Sequence, residues 1–276
     1  MNKCNYITLL IISFKLLSCG LKDKQSNEKI ETRLENNLKV DHLNIWVEHP
    51  EKAKQLLIDI GFTTVPDSDT TPHQGQGTSG KYFHFLNSYL ELIFVYDQQE
   101  FDKNNETNTS LDFSQRANFH KNNALPFSVA LKLKEYSPEK IPFETIKYQQ
   151  AWMGENNSIY VSKNAKTNLQ EPSVFVVYPD IESGTFQSMS DLDNFPTNDD
   201  HWKSFFKHPN GAKKITKITI TTTDLDLKTE TIQAVNSIDN IAIKNGAEHL
   251  MELYFDDNIQ RRSFDLRPEL PLIIYL

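Results

Sequence analysis

Cysteine is scarce in this 276-residue chain. There are two, Cys4 and Cys19, and both fall within the first twenty positions. Two thiols cannot build a disulfide framework or a cysteine-rich zinc site. Basic charge is not in excess either: 29 Lys and Arg stand against 37 Asp and Glu, for a net charge of −8. That balance argues against a nucleic-acid groove, which needs clustered cations. The apolar run Ile7 to Phe14 spans eight residues, far short of the ~20 that a membrane-spanning helix requires. Also missing are a Gly-x-Ser-x-Gly elbow, a Walker loop and a dinucleotide Gly-x-Gly-x-x-Gly opening a helix. The acidic stretch with Asp191, Asp193, Asp199 and Asp200 lacks the glycine and terminal glutamate of a calcium loop. What remains is 38% apolar and 11% aromatic. That is enough for a core, and it excludes global disorder.

The first twenty residues read as an address. Lys3 leads the short apolar run, and Leu16-Leu17-Ser18-Cys19-Gly20 follows it, the order of an export signal. Leu16-Leu17-Ser18-Cys19 resembles the bacterial lipobox, which implies cleavage after residue 18 and lipidation of Cys19. Lys15 interrupts the run and departs from the pattern. Loss of Lys3 and Lys15 with the signal would leave a mature net charge of −10. Residues 19–37 are polar and mixed in charge, a tether of about 23 Å as a flexible coil. Several acyl chains give stable anchoring. The expected location is therefore a lipid-anchored position at the cell membrane, with the globular part periplasmic or surface-exposed. Gly20 is not the aspartate that enforces inner-membrane retention, which favours the outer membrane.

From Leu38 the texture changes. Residues 38–47 alternate as a strand with His42, Asn44 and Trp46 on one face. Pro50 opens a helix carrying Ala53, Leu56, Leu57 and Ile60, and Gly61 ends it. Phe62 to Val65 reads as a short strand. Residues 81–86 and 89–95 read as two strong strands joined by Asn87-Ser88. The pattern is β-α-β-β-β. A polar connector over 98–123 shows no periodic segment. Strands at 127–133, 159–161 and 174–178 then repeat the theme without a visible helix. After a second polar connector, 181–207, a third unit runs from Ile215 through a weak helix near Ile232 to a last strand at 272–275. The expected units are 38–97, 124–180 and 212–276. Such a unit leaves one sheet face uncovered, so the units must pair. The expected class is α+β, with repeated units forming a curved mixed sheet around a cavity.

Asp41-His42-Leu43, His73-Gln-Gly-Gln-Gly77-Thr78, Tyr89-Leu-Glu91-Leu and His208-Pro-Asn-Gly-Ala212 occur in that order. Together they resemble the glyoxalase-like proteins of the vicinal-oxygen-chelate superfamily, over most of residues 38–276. The resemblance implies a divalent metal (Zn, Ni, Fe or Mn) held by ligands on the first and fourth strands of two paired units. The metal would polarise two adjacent substrate oxygens. His42 and Glu91 fill those positions in the first unit, and Glu91 is also the candidate catalytic carboxylate. The second unit departs from the pattern, with Ser128 on its first strand and no ligand among residues 174–177. The third unit offers Lys217 where His42 would repeat. A third ligand would come from His73, His84, His201 or His208.

Two function classes stay open. One is a metal-dependent lyase, isomerase or dioxygenase acting on a small molecule with adjacent oxygens. The other is a catalytically silent module that binds a small hydrophobic or aromatic compound against Trp46 and Tyr89, with His73 and His208 as further binding residues. Phe83 and Phe85 belong either to that site or to the core. The amides of Gly75-Gln-Gly77-Thr78 are a candidate anion cradle.

Overall fold

The computed structural model describes residues 37–276. The expected signal segment, Cys19 and all but the last residue of the tether lie outside the described residues. Within them, no helix is long and apolar enough to cross a membrane.

The first unit begins with β1 (Leu38–Trp46), whose alternation is interrupted by a bulge between Val40 and His42. Pro50 stands at the start of α1 (Pro50–Asp59), where its missing N–H is no loss, and Ala53 and Leu57 face the core. Gly61 takes a φ of +88°. Its amide bonds Ile58 O at 2.8 Å and the Phe62 amide bonds Leu57 O at 3.0 Å, the paired closure of a Schellman motif. The expected strand at Phe62–Val65 is not one. Val65 N donates to Tyr82 O at 2.9 Å, but Pro66 follows with no N–H to continue a ladder. β2 (Thr78–Phe85) and β3 (Ser88–Val95) form the expected hairpin. Its turn is Leu86-Asn87, one residue earlier than expected, because Phe85 pairs with Ser88.

The 98–123 connector is not structureless. It contains α2 (Gln98–Thr107), α3 (Phe113–Ala117) and α4 (Phe119–Asn122). Asp97 caps α2 by accepting the Glu100 amide at 3.0 Å. The buried residues of α2 are Phe101 and Asn104, so no apolar repeat marks it. The second unit comprises β4 (Phe127–Leu133), β5 (Thr145–Tyr148), β6 (Ile159–Ser162) and β7 (Ser173–Val176). No α-helix interrupts it, in keeping with the absence of a helical pattern, but single-turn helices that the sequence did not show do. The 181–207 connector carries α5 (Met189–Asn194), capped by Ser188. The third unit runs β8 (Ile215–Thr222), α6 (Glu230–Asn236), β9 (Ile241–Asn245), β10 (Leu250–Phe255), β11 (Ser263–Asp265) and β12 (Leu272–Tyr275).

These strands make two mixed sheets, and the class is α+β. The first two units share a seven-stranded sheet, ordered β2-β3-β1-β4-β7-β6-β5. At its centre β1 and β4 run antiparallel, and each is flanked by a parallel partner, β3 or β7. The third unit does not join it. It forms a five-stranded sheet, β11-β12-β10-β8-β9, that repeats the same centre: β8 antiparallel to β10, with parallel partners β9 and β12.

One apolar core joins the sheets. Leu43, Ile45, Phe83, Phe85, Val129 and Val174 enter it from the larger sheet, and Ile218, Leu253, Phe255 and Ile274 from the smaller. The Phe255 ring packs 4.7 Å from Phe85 and 5.3 Å from Phe62, centroid to centroid. Phe83 and Phe85 are thus core residues. With one face of the larger sheet committed to this core, period-two alternation sends the remaining side chains to the other face.

Candidate functional site

That other face carries a pocket of about 400 Å³. β1 contributes His42, Asn44 and Trp46; β2 contributes Tyr82 and His84; β3 contributes Tyr89, Glu91 and Ile93. The second unit adds Ser128, Ser173 and Phe175. The loop before β2 (through His73 and Gln76), Phe113 and Trp152 complete the wall. The alternation that groups His42, Asn44 and Trp46 in the sequence is therefore the alternation that builds the pocket.

Asp41 and His42 are consecutive, and a regular strand would point them apart. The bulge at Asp41 re-aims them, so that His42 Nδ1 bonds Asp41 Oδ1 at 2.6 Å. Asp41 is fully buried. Its Oδ2 accepts from Ser183 N at 2.8 Å and Ser183 Oγ at 2.9 Å, with Lys132 Nζ at 3.3 Å. Burial alone would raise the Asp41 pKa. The bond and charge of His42, the Lys132 ammonium and the Ser183 amide outweigh it and hold the carboxyl below its usual range. The His42 ring lies flat on Tyr89, 4.1 Å between centroids and 13° from parallel, with Phe175 at its edge.

Glu91 sits in register with Asn44 on the neighbouring parallel strand. Both are buried, at 4% and 5% exposure, and Glu91 Oε1 and Asn44 Oδ1 have no hydrogen-bond partner. Burial pushes the Glu91 carboxyl up to about 8, against the opposing pull of the Tyr82 hydroxyl. His73 lies near, with Nε2 3.7 Å from Glu91 Oε1. Both of its ring nitrogens are engaged: Nδ1 with Thr78 Oγ1 at 2.9 Å and Nε2 with the Tyr82 hydroxyl at 3.1 Å. Burial, aided by the charge of His42, lowers the His73 pKa to about 4. His84, between Tyr89 and Phe206, is lowered to about 4 chiefly by burial as well.

The implied metal does not fit these residues. His42 and Glu91 open on the same pocket, but no three His, Cys, Asp or Glu side chains among the described residues converge on one point. His73 spends both nitrogens on hydroxyls, and the second unit presents Ser128, Ser173 and Phe175 where a half-site would need donors. His208 does not reach the pocket either, correcting its expected role in binding. Its Nδ1 accepts from Thr63 N at 3.0 Å and its Nε2 donates to His84 O at 2.9 Å. His201 lies exposed, paired with Asp69 at 3.1 Å. The Gly75 and Gly77 amides do hold an anion, but it is the chain's own Glu100 carboxylate, at 2.7 and 3.1 Å.

Trp152 was not legible as a site residue. It sits in a single-turn helix between β5 and β6, and only the folded chain brings it over His73, 5.1 Å between ring centroids. Its Nε1 is buried without a partner. Asn44 carried a usable signal, the face it shares with His42, but an asparagine on a strand does not by itself announce a ligand.

No protein-family model matches the chain, and no curated protein matches it. Among solved structures, a hypothetical protein from Staphylococcus aureus aligns over 86% of this chain and 97% of its own length, at 11% identity and a TM-score of 0.43. A hypothetical protein from Bacillus halodurans covers 54% of this chain and 99% of its own, at 10% identity and 0.31. Methylmalonyl-CoA epimerase from Mycobacterium tuberculosis covers 51% and 89%, at 12% identity and 0.31.

Proposed function

We propose that the pocket is a metal-independent receptor for a small, largely apolar organic molecule, built on a glyoxalase-like scaffold whose metal half-site has been replaced. One observation carries this reading: two adjacent buried acceptors, Asn44 Oδ1 and Glu91 Oε1, stand without partners in an aromatic-walled cavity of about 400 Å³. A buried polar atom left unpaired costs about 1–3 kcal/mol, which a ligand supplying the missing hydrogens recovers. Pockets of this size and character, apolar walls with a few convergent polar groups, are the usual form of small-molecule sites.

The test is a screen of neutral, cationic and anionic aromatic fragments against the full chain, read by fluorescence of Trp46 and Trp152 and by ligand-observed NMR. Binders whose affinity drops in Tyr89→Ala and Asn44→Leu are expected. A screen with no hits at millimolar concentration would overturn the reading. Equilibrium dialysis against zinc, nickel, manganese and ferrous iron should leave the chain substoichiometric. One equivalent of metal that disappears in a His42→Ala, Glu91→Ala double variant would restore the metal-dependent alternative.

The same proposal includes a lipid tether at Cys19, supported by the residue pattern of positions 3–20. Cys19→Ala should abolish metabolic labelling with palmitate and release the protein from the membrane fraction. Unchanged partitioning would count against the tether.

A further inference from the structure

The pocket has a charge character that narrows its ligand. No lysine or arginine among the described residues lines it, so no permanently charged cation there answers a carboxylate or phosphate, and the His42 imidazole is already held by Asp41. Its titratable lining is His42, His73, His84, Glu91, the phenols of Tyr82 and Tyr89 and, toward the rim, Asp69. Asp41 already stands against His42 at 2.6 Å, and Asp69 against His201 at 3.1 Å. Glu91 has no such partner. Its Oε1 is unbonded, and the closest basic atom, His73 Nε2, is 3.7 Å away and bonded to Tyr82.

Register then sets a second acceptor beside it, because Asn44 pairs with Glu91 across β1 and β3, strands that lie about 4.8 Å apart. Around this pair the walls are aromatic, with Trp46, Tyr82, Tyr89 and Phe175. Aromatic faces attract a desolvated cation. A buried carboxyl with one oxygen unbonded, a neighbouring amide oxygen and a ring of π-faces form a receptor for N–H groups on a positive centre. Trp152 Nε1, the remaining unpaired polar atom of the wall, is a donor and calls for an oxygen elsewhere on the ligand.

Resting on the receptor reading above, we infer that the ligand is a small organic amine bound as its ammonium, with its N–H groups on Asn44 Oδ1 and Glu91 Oε1 and an acceptor oxygen toward Trp152 Nε1. The two acceptors would take two of the ammonium's hydrogens, and the charge, lying among aromatic faces, would favour release of the buried Glu91 proton to solvent, leaving a carboxylate as its counter-ion. Both the buried cation and the buried acid then have partners, the condition under which buried charge is tolerated.

Three matched probes test the class against the full chain: tyramine, its alcohol counterpart tyrosol, and 3-(4-hydroxyphenyl)propanoate. All carry the same hydroxyphenyl-ethyl body and differ in the group at the other end, an ammonium, a hydroxyl or a carboxylate. Titration at neutral pH, followed by tryptophan fluorescence and calorimetry, should rank tyramine at least about tenfold tighter than tyrosol, with the propanoate weakest. Glu91→Gln should erase most of the tyramine advantage while leaving tyrosol within about twofold. If that variant folds poorly, the wild-type ranking decides alone. Tyrosol binding as tightly as tyramine, or the propanoate binding best, overturns the amine class and leaves the receptor reading standing. The same holds if none of the three binds while other fragments do. If no fragment binds at all, the receptor reading itself falls.

Discussion

The imidazole of His208 accepts the Thr63 amide at Nδ1 and donates from Nε2 to His84 O, an arrangement only the neutral ring can make. Burial lowers its pKa from 6.5 to about 4, despite the opposing help of the His84 carbonyl. Because the folded-state value lies below the unfolded one, the stabilisation is complete above pH 6.5 and is lost as pH falls from 6.5 through 4. The loss at pH 4 should be about 3 kcal/mol from this group alone. Urea melts at pH 7 and pH 4 check it: His208→Gln should be less stable at pH 7 yet show a shallower acid limb than wild type. An unchanged acid limb would assign the titration elsewhere. The Asn-Gly pair after His208-Pro favours a turn on local grounds alone, and Pro209-Asn210 form one, but nothing local says what that turn clamps. Asn210 Nδ2 donates to Ile60 O at 3.0 Å, so this turn seals the end of α1 from 150 residues away. Long-range satisfaction of a backbone carbonyl leaves no local trace, whereas the Gly61 stop, written within four residues, was readable.

Elements show the same division between what is local and what is not. β1, α1, β2 and β3 were legible because period 2, period 3.6, an initial proline and a closing glycine all act within a single element. The helices of 98–123 were hidden because each is short and rests on isolated apolar anchors, Phe101, Phe113 and Phe119, with polar contacts supplying the rest. Glu100 on α2 grips the Gly75 and Gly77 amides and so fastens the loop that roofs the pocket. Gly77 takes a φ of +74°, and a Cβ there would collide with the Phe101 backbone. Glu100→Gln should cost about 1–3 kcal/mol and speed hydrogen exchange at those two amides selectively, measured by NMR. Uniform exchange rates would mean the loop is held by its other contacts. Arg116 on α3 is a stronger case. It is wholly buried, ion-paired with Asp112 at 2.7 Å, and donates to Leu125 O, Leu169 O and Ala165 O. Arg116→Leu strands the Asp112 Oδ2 charge and the Leu125 and Ala165 carbonyls, Leu169 O keeping the Leu125 amide, and should cost about 3–5 kcal/mol in chemical denaturation. A loss below about 1 kcal/mol would show that water replaces the guanidinium.

At the scale of the whole molecule, the pocket face of the seven-stranded sheet can be polar and incompletely satisfied because its other face is fully backed. The backing comes from α1 and from the five-stranded sheet, which meet the larger sheet in a single apolar cluster. The units were legible but their partnership was not: the third unit's strands show in their own alternation, while the packing of their sheet on the larger one rests on contacts more than 100 residues apart, such as Phe255 with Phe62 and Phe85. This arrangement predicts that the two sheets unfold as one cooperative body, and the tryptophans allow a direct test. Trp46, Trp152 and Trp202 all precede the third unit, whereas Phe255, at 1% exposure, ends β10 in the smaller sheet. Phe255→Ala opens a cavity against Phe62 and Phe85 and should cost about 3–5 kcal/mol. If the sheets unfold together, the urea midpoint read by tryptophan fluorescence falls by the same amount as the midpoint read by far-UV circular dichroism. A fluorescence midpoint that stays at the wild-type value would show that the larger sheet stands without its backing. The unpaired acceptors of the pocket would then need support from within their own sheet.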